Sequence, residues 1–411
     1  MSSRVFYGWY LAAAAALGIA CSFSVLVVTI TPIFQYPLMT SLHWTAEQIF
    51  AGPTVAGLCG LLTAPFIGAL SDRFGARHII LASFVLELFV LASFALMNGD
   101  ILGYLVRYGA LAILCMGTTQ VAFSRVISSW FNRRLGLAIG VALAGVGVGG
   151  FIWSLLIQHL IDLYGWREAY VGIAILIGCV TIPVLAWLLR DTPAQMGLHV
   201  DGAPQGTAAD ATVEHTAGTT LGEAAHTGQY WLMVLTFFLL GLALQGAQLH
   251  VAGLLRSRGV SADQAALTQA MMLIMVVFGR LASGWLLDRF FAPRVAQAFI
   301  IAPILGISAL TLGATGTAAM ISAMGIGLSV GGESDVIAYL VRRYFGMKQY
   351  SRIYGSFFSA FGAGSAIGPV ATAWGVSHIA GGYGHVLWAH VGILAFTIVL
   401  LAAFRTYRRD T

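Results

Sequence analysis

An arginine inside an apolar stretch is the residue of this sequence with the clearest chemical potential. Arg280 follows residues 271–278, none of which is charged. A cation at the centre of a membrane helix costs about 2.5–3.5 kcal/mol, so it needs a purpose. Its planar fork binds a carboxylate through two parallel hydrogen bonds. The position one turn earlier, where an acid could neutralise Arg280 within the helix, is the apolar Val276. The sequence therefore predicts that Arg280 binds an anion, and an ion pair with an acid of another helix is the alternative.

Five polar residues in other apolar stretches are candidates for proton binding or for contact with the substrate. Glu333 and Asp335 are two positions apart, so on a helix their side chains point about 200° apart and only one faces a given site. Together with His250 they are the candidate proton carriers, and solvated acids or an unremarkable histidine at a pore mouth are the alternatives. Gln120 and Gln245 are candidate substrate contacts, unless they only bond between helices.

The composition places these residues in a membrane. The chain has 411 residues, of which 59% are hydrophobic and 9% are charged, and its mean hydropathy is +0.86. A soluble domain is typically about 25% charged, so a soluble enzyme, a disordered chain and a disulfide scaffold are excluded. The net charge of +5 is scattered and forms no run for nucleic acid. The four cysteines lie in separate apolar stretches, and we predict no metal, no cofactor and no enzyme activity.

Apolar stretches of the length that crosses a bilayer recur twelve times. They lie at residues 7–36, 45–70, 78–97, 101–129, 134–159, 166–189, 228–254, 262–287, 294–313, 317–341, 350–378 and 386–406. Their lack of alternation favours helices over barrel strands. The long polar stretch at about 191–227 predicts a cytoplasmic linker between an N-terminal domain at 1–190 and a C-terminal domain at 228–411.

A repeated motif indicates that these domains are two copies of one six-helix unit. Gly68 precedes Asp72 and Arg73 after the second span, and Gly284 precedes Asp288 after the eighth. A charged turn at matching places of two halves is the mark of an internal repeat. We therefore expect twelve transmembrane helices in two pseudo-symmetric six-helix bundles, with a midplane site between them.

The distribution of basic residues predicts the orientation. With both termini inside, most of the 21 Arg and Lys residues fall in inner segments, whereas the predicted outer loops at 41–48, 97–103 and 379–385 contain none. Cytoplasmic loops of membrane proteins carry such an excess. The sequence therefore predicts a multi-pass protein of the cell (inner) membrane with cytoplasmic termini, in contact with lipid and without a nucleic-acid partner.

The sequence after the second span resembles the signature loop of the major facilitator superfamily. The pattern is G-x-x-x-D-R-x-G-x-R from Gly68 to Arg77, and its weaker copy begins at Gly284. Tyr7-Gly8-Trp9 and the segment at 130–145 are similar to openings of spans one and five in the monocarboxylate transporter family. Phe278-Gly279-Arg280-Leu281 is similar to that family's substrate-binding arginine segment. The resemblance implies the major facilitator fold and a carboxylate site at Arg280.

Two departures from relatives shape the predicted mechanism. Animal monocarboxylate transporters carry a lysine in span one and an aspartate before the span-eight arginine, where this chain has Val27 and Val276. The proton must then bind elsewhere, at Glu333, Asp335 or His250. We expect a monomeric, proton-coupled transporter of small monocarboxylates such as lactate and pyruvate. Organic-anion exchange of the oxalate and formate type is the alternative, followed by a carboxylate sensor that moves nothing.

A cytoplasmic gate is the second predicted site. Its members are Asp72, Arg73, Arg133, Arg134 and Asp288. We expect Asp72 to pair with Arg133 or Arg134, and Asp288 to pair with Arg342 or Arg343, as latches that break when the transporter changes state. A solvated turn with a capping carboxylate is the alternative. Arg125, in the inner part of span four, is expected to snorkel or to pair with an acid such as Glu333 or Asp335.

Overall fold

The computed structural model describes residues 6–202, 218–379 and 382–407. Helices dominate the described residues, which contain no β-strand, and twelve helical spans follow one another as predicted. Nine described helices are long and apolar enough to cross a membrane. Spans 1 to 6 occupy Tyr7–Leu42, Ala46–Phe74, Ala76–Phe94, Ile101–Leu114 with Gln120–Trp130, Leu135–Tyr164 and Trp166–Leu188. Spans 7 to 12 are Gly228–Ser257, Ala262–Leu287, Ala292–Thr311, Gly316–Phe345, Tyr350–His378 and Tyr383–Ala402.

Spans 1 and 4 are each interrupted by a break that contains serine or threonine, where the sequence predicted continuous helices. Span 1 consists of Tyr7–Ala20 and Phe23–Leu42, and Ser22 Oγ donates to the carbonyl of Ile19 at the break, at 2.7 Å. Span 4 is broken by the 3-10 turn Met116–Thr118. Serine and threonine hydroxyls compete with the backbone for such bonds, which explains why both breaks contain them.

Helix starts are fixed by side-chain caps and by glycine turns. Thr45 and Gln48 form a reciprocal capping box at the start of span 2, and Asp100 accepts bonds from the N–H groups of Leu102 and Gly103. Each cap satisfies backbone donors that a helix start leaves unpaired. Gly75 joins spans 2 and 3 with φ +85°, a conformation that suits glycine.

The described helices form two compact units. The first comprises Met1–Asn132, Val141–Thr219 and Gly346–Gly355. An aromatic cluster fills part of its core, with the ring of Tyr170 4.2 Å from that of Phe34 and 5.0 Å from that of Phe94. In the same unit, spans 1 and 5 approach closely, because Gly145 lies against the carbonyl of Ala16 and Gly149 against that of Ala20.

The second unit comprises Arg133–Gly140, Thr220–Phe345 and Ser356–Thr411. It repeats the close glycine contact between spans 7 and 11, where Gly364 lies against the carbonyl of Phe238 and Gly368 against that of Leu242. A Cβ at any of these glycines would collide with a backbone oxygen. These four glycines are therefore packing residues that let two helix backbones approach closely.

The predicted linker is described only in part. Its residues 203–217 lie outside the described residues, and the predicted domain boundaries at 190 and 228 stay a prediction. The described part includes the helix Leu221–Ala225, which begins with a capping box between Thr220 and Glu223.

Candidate functional site

Two helices of the second unit are brought together by glycines to build the candidate site. On span 10, Gly327 lies against the carbonyl of Met272 and Gly331 against that of Val276, both on span 8. Small residues allow helix backbones to approach this closely. The side chains one turn further along each helix, Arg280 on span 8 and Asp335 on span 10, consequently face one another.

Arg280 and Asp335 form a loose buried ion pair. Nη1 of Arg280 lies 3.6 Å from Oδ1 of Asp335. Arg280 is 8% exposed and Asp335 is not exposed at all, so both charges depend on one another rather than on water. Among the described residues, Nε and Nη1 of Arg280 and Oδ1 of Asp335 have no hydrogen-bond partner. The guanidinium is therefore charge-compensated while its hydrogen-bonding capacity is incompletely used.

Ser283 completes this arrangement and was not predicted. Its Oγ donates to Oδ2 of Asp335 at 2.6 Å. Ser283 lies three residues after Arg280, on the same face of span 8. This spacing is the signal in the sequence that could have identified it. The serine fixes one carboxylate oxygen, so that the other oxygen is presented to the arginine.

Glu333 lies on the other side of span 10. It is 6% exposed, and it lines a small, mostly apolar cavity with Thr236 and Phe237 of span 7 and Phe299 of span 9. No described residue forms a hydrogen bond with its Oε2. The expectation that Glu333 and Asp335 point in different directions is met by these surroundings, and Asp335 is the acid beside Arg280.

His250, Gln245 and Gln120 are the remaining predicted contacts. Nδ1 of His250 is 2.9 Å from the carbonyl of Gly246, one turn earlier on span 7, and Gln245 is half-buried on the same helix. No hydrogen bond or ion pair within the described ranges joins either of them to Arg280. Gln120 belongs to the first unit, where it begins the second half of span 4 and is half-buried.

The predicted gate residue Asp72 has partners other than those expected. Its carboxylate forms an ion pair with Nη1 of Arg125 and accepts hydrogen bonds from the N–H groups of Ser351 at 3.1 Å and Arg352 at 3.0 Å. The expected partners were Arg133 and Arg134, which are exposed. Span 4 instead presents Arg125, which pairs with an acid as expected, but the acid is Asp72 and not Glu333 or Asp335.

Asp288 plays the matching part in the second unit. Its two carboxylate oxygens accept hydrogen bonds from the N–H groups of Gly136, at 2.6 Å, and Leu137, at 2.9 Å. These residues begin span 5, where unpaired N–H groups and the helix dipole favour a carboxylate. The pairing of Asp288 with Arg342 or Arg343 stays a prediction.

The two glycines that lie four positions before the gate aspartates have the same role in packing. Gly68 lies against the carbonyl of Ser351, and Gly284 against that of Gly136. Since residues i and i+4 share a helix face, each glycine admits the helix start that its aspartate then caps. Arg73, the next residue after Asp72, is exposed, and its guanidinium lies 5.1 Å from the ring of Phe74.

Comparison with known proteins identifies the fold. The family model described as the Major Facilitator Superfamily matches residues 9–335. The chain is 25% identical over 341 residues to an Escherichia coli protein described as the uncharacterized MFS-type transporter YhjX, covering 81% of this chain and 80% of that protein. It is 26% identical over 322 residues to monocarboxylate transporter 11 of Mus musculus, covering 74% of this chain and 67% of the relative.

Two solved structures are similar over almost their whole length. The E. coli fucose:proton symporter FucP has a TM-score of 0.71 at 15% identity and covers 97% of this chain and 98% of its own. The proton:xylose symporter XylE has a TM-score of 0.74 at 13% identity, with coverages of 99% and 97%. At this identity the likeness shows the fold alone.

Proposed function

The chain belongs to the major facilitator superfamily and is a multi-pass integral membrane transporter, and on this premise we propose that it carries small monocarboxylates of the lactate and pyruvate class together with a proton. The single observation that carries the proposal is the buried Arg280 beside Asp335, with N–H groups that no described residue uses. The similarity to monocarboxylate transporters supports the same substrate class.

Recognition of the substrate relies on the guanidinium of Arg280. Arginine stays cationic under all physiological conditions, and its fork matches a carboxylate. The unused Nε and Nη1 groups supply donors for this contact. A single arginine matches a monoanion, and span 11 offers no lysine or arginine between Tyr354 and His378 for a second charge. Gln245 and Gln120 are proposed as further polar contacts to the substrate.

Proton coupling follows from competition for the same guanidinium. Ionised Asp335 neutralises Arg280 and opposes the binding of a second carboxylate. When Asp335 takes a proton from water, its negative charge is lost, and the substrate carboxylate replaces it as the counter-charge of Arg280. One anion and one proton then move together without net charge, whereas a lone anion would face about 2.3 kcal/mol per 100 mV. Glu333 and His250 are the other candidate proton carriers.

The aspartate caps supply the proposed conformational gate. Asp72 holds the start of span 11 in the first unit, and Asp288 holds the start of span 5 in the second. Charge-assisted hydrogen bonds of this kind are stronger than neutral ones, so they stabilise one state until transport breaks them. We place the termini and this gate on the cytoplasmic side of the inner membrane, and the protein acts as a monomer.

Transport into proteoliposomes tests the proposal. Labelled lactate, pyruvate, formate and oxalate are each offered with and without an inward proton gradient, and liposomes without protein are the control. Accumulation of lactate or pyruvate only with the gradient is the expected result. Exchange of oxalate for formate that ignores the gradient would establish the exchanger instead. Substrate-induced thermal stabilisation without any flux would indicate a sensor.

A further inference from the structure

A second buried acid, in the first unit, is not used by the proposed transport site. Glu87 lies in the middle of span 3 and is not exposed at all. Among the described residues, neither of its carboxylate oxygens has a hydrogen-bond partner, and no arginine, lysine or histidine forms an ion pair with it. An ionised carboxylate in such surroundings is very costly, because neither water nor a counter-charge stabilises it.

The 3-10 turn that interrupts span 4 lies against this part of span 3. Gly117, within the turn, packs on the side chain of Ser83, one turn before Glu87. The hydroxyl of the adjacent Thr118 lies within electrostatic range of the Glu87 carboxyl without a hydrogen bond between them. The close approach of the turn therefore places one hydroxyl beside an otherwise unpartnered acid.

Two thiols lie within the electrostatic range of Glu87. Cys115 of span 4 and Cys21 of span 1 are the titratable side chains on which its charge acts. Thr181 of span 6 lies beside Cys21 and is not titratable. Span 2 presents no titratable partner to Glu87 within the described residues. The surroundings thus contain weak donors and no cation.

The Thr118 hydroxyl connects the two helix breaks. It donates to the carbonyl of Cys115 at 2.8 Å, and it accepts the N–H of Phe23, the first residue of the second half of span 1, at 3.2 Å. A hydroxyl has one hydrogen, so Thr118 cannot donate to Cys115 and to a carboxylate at once.

We propose that Glu87 is a proton-binding site of the first unit, and that its occupancy decides whether Thr118 donates to Cys115 or to Glu87. With the proton bound, the acid is neutral and Thr118 holds the turn of span 4 closed. When the proton leaves to water, the carboxylate draws the Thr118 hydrogen, and the carbonyl of Cys115 loses its side-chain donor. The site is independent of Arg280 and of the identity of the substrate.

The ligand is a proton rather than a metal cation. Hard cations take six or more oxygen ligands, and this site offers a single carboxyl and one hydroxyl among thiols. A neutral carboxyl, by contrast, needs no counter-charge. Discontinuous helices in transporters are places where protons and ions bind, which agrees with the position of Glu87 beside two such breaks.

Infrared spectroscopy of the purified full-length protein in lipid tests the site without any substrate. We expect a carbonyl band of a protonated carboxyl at neutral pH that shifts in D₂O and disappears in Glu87→Gln. The exposed Glu47→Gln is the matched control and should keep the band, as should Asp335→Asn. An identical spectrum for Glu87→Gln and wild type overturns the proposal, and so does a band that Na⁺ but not K⁺ removes.

Substitutions of Thr118 separate a proton switch from mere packing. In Thr118→Val the carboxylate has no donor to stabilise it, so the band should persist to a higher pH than in wild type. Thr118→Ser keeps the hydroxyl and should titrate like wild type. If Thr118→Val titrates like wild type, the coupling is refuted. Should Glu87→Gln not fold, Glu87→Asp keeps the carboxyl and must shift the band, and an unshifted band also refutes the assignment.

Discussion

Nη1 of Arg280 lies 3.6 Å from Oδ1 of Asp335, which is close enough for charge neutralisation but too far for a hydrogen bond. Both side chains are buried, and Ser283 holds the other oxygen of Asp335 at 2.6 Å. The acid is thus held mainly by the serine, and the arginine has unused donors. A second carboxylate can take those donors once the charge of Asp335 is removed, which is the basis of the proposed coupling.

Replacing Arg280 should abolish carboxylate binding in a graded way. Arg280→Lys keeps the charge and loses the fork, so the affinity for lactate or pyruvate should fall by about 2 kcal/mol, roughly thirtyfold. Arg280→Ala should eliminate binding. Substrate-induced thermal stabilisation in detergent measures both, and the exposed Arg256→Lys is the matched control.

The loss of Arg280 also leaves Asp335 buried without its cation, which by itself costs about 3–5 kcal/mol when the acid stays ionised. Misfolding of Arg280→Ala would therefore have a structural cause. Removing both charges in Arg280→Ala, Asp335→Asn should restore folding. Full ligand-induced stabilisation of that folded double variant would rule out Arg280 as the substrate anchor.

Neutralising Asp335 should uncouple transport from the proton gradient. In Asp335→Asn the guanidinium is permanently free of a competing charge, so exchange of labelled for unlabelled substrate should continue while accumulation against a gradient is lost. Flux in proteoliposomes measures both modes. The exposed Asp162→Asn is the control for the substitution. Gradient-driven accumulation that survives in Asp335→Asn but not in Glu333→Gln would assign the proton to Glu333.

The twelve spans could be predicted because each is an apolar run of membrane-spanning length, and the repeat because Gly68 and Gly284 precede aspartates at the same spacing. The breaks in spans 1 and 4 could not. At the break in span 1, the N–H of Phe23 bonds to Thr118, 95 residues away, and no local pattern reports such a partner. Local propensity describes helices well until a tertiary contact competes with it.

The candidate site was predictable in its residue types but not in its pairings. Helical periodicity separated Glu333 from Asp335 without deciding which one meets Arg280. The contact of Gly331 with the carbonyl of Val276 sets the rotation of span 10 and decides it. Arg125 likewise meets Asp72 because of how two helices pack, although 53 residues separate them.

Removing the charge of either gate aspartate should slow the conformational cycle. Asp72→Asn loses the ion pair with Arg125 and weakens the bonds to two N–H groups, and Asp288→Asn weakens the equivalent cap on span 5. A cap of this kind contributes about 1 kcal/mol, so we expect turnover to fall severalfold while the protein stays folded. Exchange rates at saturating substrate measure the effect. Unchanged rates in both variants would show that these caps serve only as turns.

Adding a methyl group at Gly331 should disturb the ion pair between Arg280 and Asp335, although Gly331 is not part of that pair. A Cβ there meets the carbonyl of Val276, a backbone atom that cannot move aside as a side chain would, so spans 8 and 10 must separate. We expect Gly331→Ala to destabilise the protein by about 1–3 kcal/mol and to weaken substrate binding, because Asp335 and Arg280 move apart.

Gly60→Ala is the matched control, since nothing lies within 4 Å of its added Cβ. Thermal unfolding in detergent should therefore show a lower melting temperature for Gly331→Ala and an equal or higher one for Gly60→Ala. Equal melting temperatures and equal ligand stabilisation in both variants would mean that the close approach of spans 8 and 10 does not position the ion pair.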